Sequence, residues 1–107
     1  MRKITNKLVR DNIPDIIQAN GGFCKISVMD DITYRKELIK KMHEEIEEFN
    51  KDDNVEELAD IYEVFCALVR FKGYHLECIQ QEAKRKSQNN GGFYKKYFMK
   101  EYDDGKE

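Results

Sequence analysis

The middle of the chain concentrates carboxylates. The stretch HEEIEEFNKDDNVEELAD, residues 43–60, holds nine carboxylates and one lysine. Three explanations are open: a solvated helix face, a disordered acidic run, or a site that holds metal ions. A site built only from carboxylate oxygens favours magnesium, manganese or calcium over zinc. The positions of the carboxylates on their helices separate these explanations.

Two amphipathic helices are predicted to carry this stretch. Asp30 and Asp31 offer an N-cap for the first, which runs to about Phe49. Asn54 with Glu57 three residues later resembles a capping box and opens the second. The apolar stripe of the first helix consists of Leu38, Met42, Ile46 and Phe49. Because the NKDDN connection is short, the two helices are expected to pack antiparallel.

Four of the carboxylates lie at apolar borders of these helices. At about 100° per residue, Glu45 falls beside the apolar stripe and Glu48 one turn further on. On the second helix, Glu57 projects onto the apolar flank and Asp60 lies just beyond it. Antiparallel packing lets the two pairs face each other, where they repel strongly unless cations neutralise them. This geometry predicts a metal site, although Glu57 in a first helical turn is also a good partner for the helix dipole.

The second helix has a wider apolar arc than one small domain needs. The helix is predicted to end near Gly73. The centre of its apolar arc consists of Leu58, Tyr62, Phe65 and Val69. One flank of the arc consists of Ile61, Val64 and Leu68. This arc predicts that the second helix lies at the centre of a homodimer or a higher even oligomer such as a homotetramer.

The remaining segments complete the predicted fold. A short helix over residues 11–19 ends at Asn20-Gly21-Gly22, and a third long helix covers residues 75–87. Residues 23–29 and 93–102 alternate apolar and polar side chains, which is typical of β-strands. The two segments are expected to form an antiparallel pair. The predicted fold is mostly α: an antiparallel helical bundle completed by oligomerisation, with a small two-stranded β attachment, in a single domain over residues 1–107.

Composition excludes several classes of protein. Of 107 residues, 40% are hydrophobic and twelve are aromatic, which argues against disorder. A net charge of −2 gives no overall field for nucleic acid or a membrane surface. No apolar run is long enough to span a bilayer, and no signal peptide is recognisable at the start. Cys24, Cys66 and Cys78 show no CxxC spacing, so free thiols in a cytoplasmic protein are expected.

Other metal chemistries fit the sequence less well. The ExxH pairs of di-iron bundles are missing, and His43 is expected to be an exposed helix residue. No D-x-D-x-D-G loop occurs, which disfavours a calcium-binding module. Glu47, Asp52 and Asp53 are interpreted as solvated. The basic ends, residues 1–10 and 84–100, contain no acid and either neutralise the acidic middle or bind an anion.

Three blocks of the sequence resemble one family. EEIEE followed by EELAD is similar to the EExxE…ExxD signature of the MazG-like, all-α nucleoside triphosphate pyrophosphohydrolases, relatives of phosphoribosyl-ATP pyrophosphohydrolase. NKLVRDNIPDII resembles the KLVRDKIPEII opening of a short-chain branch, and GGFYKKYFM resembles its RGGF-containing ending. The resemblance covers nearly the whole chain, in the right order.

The resemblance implies an activity and a site. It matches Glu45, Glu48, Glu57 and Asp60 to the magnesium ligands, with manganese as the alternative ion, and Glu44 to the glutamate before them. The implied reaction cleaves a nucleoside triphosphate between the α and β phosphates, as in house-cleaning of nucleotide pools. Phosphate contacts are expected from three basic residues: Lys7, Arg10 and Lys86. The alternative is a catalytically idle helical homodimer that acts as a binding or regulatory module.

Overall fold

The computed structural model describes residues 2–106, which contain four helices. In chain order these are α1 (Ile13–Ala19), α2 (Asp31–Asp52), α3 (Val55–Phe71) and α4 (Leu76–Asn90). The mostly helical fold class is therefore confirmed. The chain divides into two compact units, Met1–Tyr74 and His75–Glu107, and each is described by itself. None of the helices in residues 2–106 combines the length and the apolar character needed to cross a bilayer.

Side-chain caps fix the starts of the two longest helices. The Asp30 carboxylate accepts a hydrogen bond of 2.8 Å from the Thr33 N–H, and the Asn54 side-chain oxygen accepts one of 3.0 Å from the Glu57 N–H. Each bond satisfies a backbone donor that the first helical turn leaves free. Between them, Asp53 turns the chain in the left-handed region at φ 52° and ends α2. The connection between the helices is therefore Asp53 and Asn54 alone, which is shorter than the predicted NKDDN because α2 continues to Asp52.

The first unit is organised around the pairing of α2 with α3. Leu38 of α2 is 2% exposed, and Val64 and Val69 of α3 are also buried. The ring of Tyr34, near the start of α2, meets the ring of Phe71, at the end of α3, edge to face at 5.5 Å. A contact between the start of one helix and the end of the next requires antiparallel packing, as the sequence predicts.

The apolar arc of α3 is only partly covered. Val64, from the predicted flank of the apolar arc, is buried, whereas Leu58 and Tyr62, from its predicted centre, are 49% and 53% exposed. On α2, Ile46 of the predicted stripe is likewise 46% exposed. One partner helix covers only part of a wide arc, so within the described residues Leu58 and Tyr62 of its centre stay exposed, whereas Val69, also of its centre, is buried.

The predicted β attachment is not shown. Residues 23–29 and 93–102 lie outside the helices, and no strand is present anywhere in residues 2–106. Val28 is 97% exposed and Phe93 100% exposed, so the alternating pattern of these segments buries no face here. A strand needs a paired backbone and a covered apolar face, and alternation alone provides neither.

The second unit contains α4 and the segment that follows it. Leu76 and Ile79 of α4 are half-buried, and Ala83, four residues after Ile79, is exposed. Gly91, at φ 84°, ends the helix, and its N–H donates to the Ser87 carbonyl at 2.8 Å. The aromatic side chains that follow are largely exposed: Phe93, Tyr94, Tyr97, Phe98 and Tyr102.

Candidate metal site

Carboxylates from α2 and α3 converge in two overlapping groups. Glu45, Glu57 and Asp60 each place one carboxylate oxygen within 4.8 Å of the others. Glu48, Asp52 and Glu57 form a second group at the same spacing. Glu57 belongs to both groups and therefore joins all five carboxylates, which we call the acidic cluster. Exposed acidic groups often lie close together without a metal ion, so proximity alone makes the cluster only a candidate site.

The helical pairing explains why these side chains meet. Glu45 and Glu48 are three residues apart on α2, and Glu57 and Asp60 have the same spacing on α3, so each pair shares one side of its helix. The Asn54 cap fixes the start of α3, and with it the position of Glu57 in the first turn. The antiparallel packing then brings the two pairs together, and the four residues predicted as metal ligands lie in one cluster.

Burial differs strongly among the members of the cluster. Glu45 is 8% exposed and is the buried charged residue of α2, whereas Glu57 and Asp60 are half-buried. Glu48 and Asp52 are exposed. The cluster therefore extends from the buried Glu45 to the solvent-exposed Asp52. An ion bound at its exposed side could keep part of its water shell, as magnesium prefers.

The electrostatics of the cluster are visible at Glu57. The pKa of Glu57 is raised above its ordinary value, first by burial and then by four carboxylate charges: Asp60, Asp52, Glu48 and Glu45. Both effects penalise the charged form of the side chain. A cation bound among these oxygens would reverse the second effect, because it would favour the ionised carboxylate.

Two basic side chains of the protein already contact the cluster. Lys41 Nζ lies 3.3 Å from Glu45 Oε1 and 3.8 Å from Glu44 Oε2. Arg10 Nη2 donates to Asp60 Oδ1 at 2.6 Å. Arg10 precedes α1 and Lys41 lies on α2, so the cluster receives positive charge from two parts of the first unit. The basic start of the chain thus neutralises part of the acidic middle, which was one of the two roles open to it.

The other predicted site residues, Glu44, Lys7 and Lys86, are not members of the acidic cluster. Glu44 is half-buried beside Lys41 and offers no oxygen to either carboxylate group. Lys7 is exposed in the segment before α1. Lys86 lies on the exposed surface of α4, in the second unit. The assignment of Glu44 to catalysis and of these lysines to phosphate binding stays a prediction.

The sequence pattern did not predict two residues at the acidic cluster, Asp52 and Lys41. The interpretation of Asp52 as solvated is correct, since its side chain is exposed, but α2 continues to Asp52 and brings its carboxylate to Glu48 and Glu57. The spacing of four residues between Glu48 and Asp52 is the signal that could have found it. Lys41 precedes Glu45 by four residues, which is the same signal for an ion pair.

Comparison of the chain with protein-family models, with curated proteins and with solved structures gives no match.

Proposed function

We propose that the chain is a MazG-like nucleoside triphosphate pyrophosphohydrolase that works with magnesium, or with manganese in its place. The proposed ligands are Glu45, Glu48, Glu57 and Asp60. The observation that supports this most directly is the convergence of Glu45, Glu57 and Asp60 within 4.8 Å, from two helices and with Glu45 buried. The three sequence blocks that resemble the family supply the reaction.

The proposed reaction is hydrolysis between the α and β phosphates. A water oxygen attacks the α phosphorus, the bond from that phosphorus to the bridging oxygen breaks, and pyrophosphate leaves with the electron pair. A divalent cation held by Glu45, Glu48, Glu57 and Asp60 would neutralise phosphate oxygens and would make the water a better nucleophile. Glu44, or a cluster carboxylate that does not bind the metal, accepts the proton of the water. Asp52, on the solvent-exposed side of the cluster, is available as a further ligand or as this base.

Phosphate oxygens that the cation does not reach are proposed to contact basic side chains. Arg10 contacts the cluster by donating a hydrogen bond to Asp60. A guanidinium can donate to two phosphate oxygens at once. Lys7 is three residues before Arg10, in the same segment. Lys86 belongs to the same proposal on the strength of the family resemblance.

We also propose that the chain works as a homodimer or homotetramer in the cytoplasm. The exposed apolar side chains of the helical pair support an oligomer, because they offer a surface that a second copy can bury: Ile39, Ile46, Leu58 and Tyr62. The pairing of residues 23–29 with 93–102 stays part of this proposal, since an assembly would provide the cover that a strand pair needs.

A second function is favoured by the ion pairs at the cluster. Lys41 and Arg10 already neutralise Glu45 and Asp60, so the fold tolerates the carboxylates without a bound ion. An idle helical homodimer that serves as a binding or regulatory module would have the same contacts. The idle dimer and the enzyme differ in whether a divalent cation binds and whether a nucleotide is cleaved.

The test is a product assay over a substrate panel. The protein is incubated with canonical, deoxy and damaged nucleoside triphosphates and with phosphoribosyl-ATP, in magnesium and in chelator. The enzyme proposal expects pyrophosphate and a monophosphate from at least one substrate, in magnesium only. Orthophosphate alone would mean that a different bond is cleaved, and no turnover across the panel would favour the idle dimer.

A further inference from the structure

One side-chain hydrogen bond joins the segment before α1 to α3. Arg10 donates to Asp60 at 2.6 Å, across fifty positions of sequence. The other side-chain hydrogen bonds within residues 2–106 join positions two or three apart. The Ile13 N–H donates to the Arg10 carbonyl at 3.1 Å, which fixes Arg10 to the turn that opens α1.

We propose that this contact is autoinhibitory: Arg10 is a built-in counter-cation that a divalent ion must displace from Asp60, and its displacement releases the segment before α1. The inference rests on the proposed metal function of the cluster. It adds an order of events to that function, because the site is closed by the protein's own charge until a cation binds.

The exposure of the pair makes the displacement feasible. The side chains of Arg10 and Asp60 are 58% and 38% exposed, so solvent screens their attraction and the pair contributes little to stability. A divalent ion carries twice the charge of a guanidinium and is attracted by several carboxylates of the cluster at once. The exchange therefore favours the ion once its concentration is sufficient.

The second ion pair at the cluster cannot act in the same way. Lys41 reaches Glu45 from one turn earlier on the same helix, so its release would free one side chain and no segment of backbone. Arg10 differs because it belongs to a segment without helix or strand. Displacement of Arg10 thus changes the mobility of the segment before α1, which displacement of Lys41 does not.

The release has a chemical consequence for anions. A guanidinium bonded to Asp60 is occupied, whereas a free one presents a planar set of donors that fits two phosphate oxygens. Inorganic pyrophosphate, used as a probe, should therefore bind more tightly to the protein in saturating magnesium than in chelator. Part of that gain should disappear in Arg10→Gln, which has no guanidinium to release.

The test measures magnesium affinity and backbone mobility in the same proteins. Magnesium alone is titrated by calorimetry into the full chain and into Arg10→Gln and Arg10→Lys, and the backbone ¹⁵N–¹H NOE of residues 6–11 is followed by NMR. Removing one positive charge beside the ion should tighten magnesium binding about three- to tenfold. The magnesium affinity of Arg10→Lys should lie between that of the unsubstituted chain and that of Arg10→Gln, since lysine keeps the positive charge without the planar set of donors of a guanidinium. In the unsubstituted chain the NOE should fall as magnesium saturates, and in Arg10→Gln it should be low from the start.

Arg85→Gln is the matched control. Arg85 forms an ion pair with Glu82, and its side chain is 58% exposed, as that of Arg10 is, but the pair lies on α4 in the second unit. Its loss removes the same charge from the protein and should leave magnesium affinity unchanged. Magnesium binding that is equal or weaker in Arg10→Gln, or an NOE that saturating magnesium does not change, would overturn the inference and leave the metal site standing. Absence of magnesium binding in the unsubstituted chain and in Asp60→Asn alike would remove the metal site and the inference with it.

Discussion

Replacing Glu57 by glutamine removes one negative charge from the centre of the acidic cluster and preserves nearly the same shape. Glu57 is common to both carboxylate groups, so the substitution removes a charged ligand from either possible ion position. Loss of a residue that only supports a metal ligand typically costs about 10- to 100-fold in affinity, and loss of a ligand should cost at least about tenfold. Calorimetric titration of magnesium into both proteins measures the change.

Glu56→Gln provides a matched control for the position of Glu57 in the helix. Glu56 and Glu57 both lie in the first turn of α3, so either substitution removes one favourable charge from the helix N-terminus. Glu56 is exposed and belongs to neither carboxylate group. The difference between the two variants therefore isolates the cluster from the helix dipole, and magnesium affinity should fall only in Glu57→Gln.

The same pair of variants gives a pH test in the presence of chelator. Because the pKa of Glu57 is raised in the folded protein by burial and by neighbouring carboxylates, the folded state holds its proton to a higher pH than the unfolded state does. This side chain therefore lowers stability progressively as pH rises from its ordinary pKa through its raised one. Above that range Glu57→Gln should melt at a higher temperature than Glu56→Gln, and the gap should close as the pH falls below about 4, where Glu57 is protonated in both states. Equal magnesium affinity in the two variants, or a melting gap that does not depend on pH, would refute the reasoning.

Three further predictions concern the scaffold. Leu38→Ala should lower the free energy of unfolding by about 2–5 kcal/mol, because Leu38 is 2% exposed and its truncation leaves a cavity between α2 and α3; urea denaturation measures this. Asn54→Ala should cost about 0.5–2 kcal/mol by the same assay through loss of the cap, and Asn54→Asp, which keeps an acceptor, should cost less. Small-angle scattering at micromolar concentration should show an even oligomer, and a monodisperse monomer would contradict the proposed assembly.

The helices and their pairing were predictable from sequence because the signals are local. Asn54 with Glu57 three residues on identifies the start of α3 to the residue, and the short connection dictates the antiparallel arrangement. The two carboxylate pairs followed from helical geometry, since residues three apart share a face. The end of α2 is not predictable to the residue, because Lys51 and Asp52 continue the helix without adding to its apolar stripe, and the pattern therefore does not place Asp52 in the acidic cluster.

Features that depend on tertiary partners were not predictable. Projection of α3 shows how wide its apolar arc is, but not that α2 would cover Val64 and leave Leu58 and Tyr62 exposed. Alternation in residues 23–29 suggested a strand, yet a strand also requires a neighbour to pair with. The Arg10–Asp60 contact spans fifty positions, and no local spacing rule reaches that far.

The central claim is tested most directly by the products formed in magnesium. The unsubstituted chain, Glu45→Gln and Glu47→Gln are compared on a substrate found to be cleaved, with pyrophosphate and orthophosphate measured separately. Glu45 is buried in the cluster, whereas Glu47 is an exposed glutamate on the same helix outside both carboxylate groups, so both variants lose the same charge from α2. Magnesium-dependent release of pyrophosphate that is retained in Glu47→Gln and lost in Glu45→Gln is the predicted result. Pyrophosphate release that persists in Glu45→Gln or in chelator, or release of orthophosphate alone, would contradict the account.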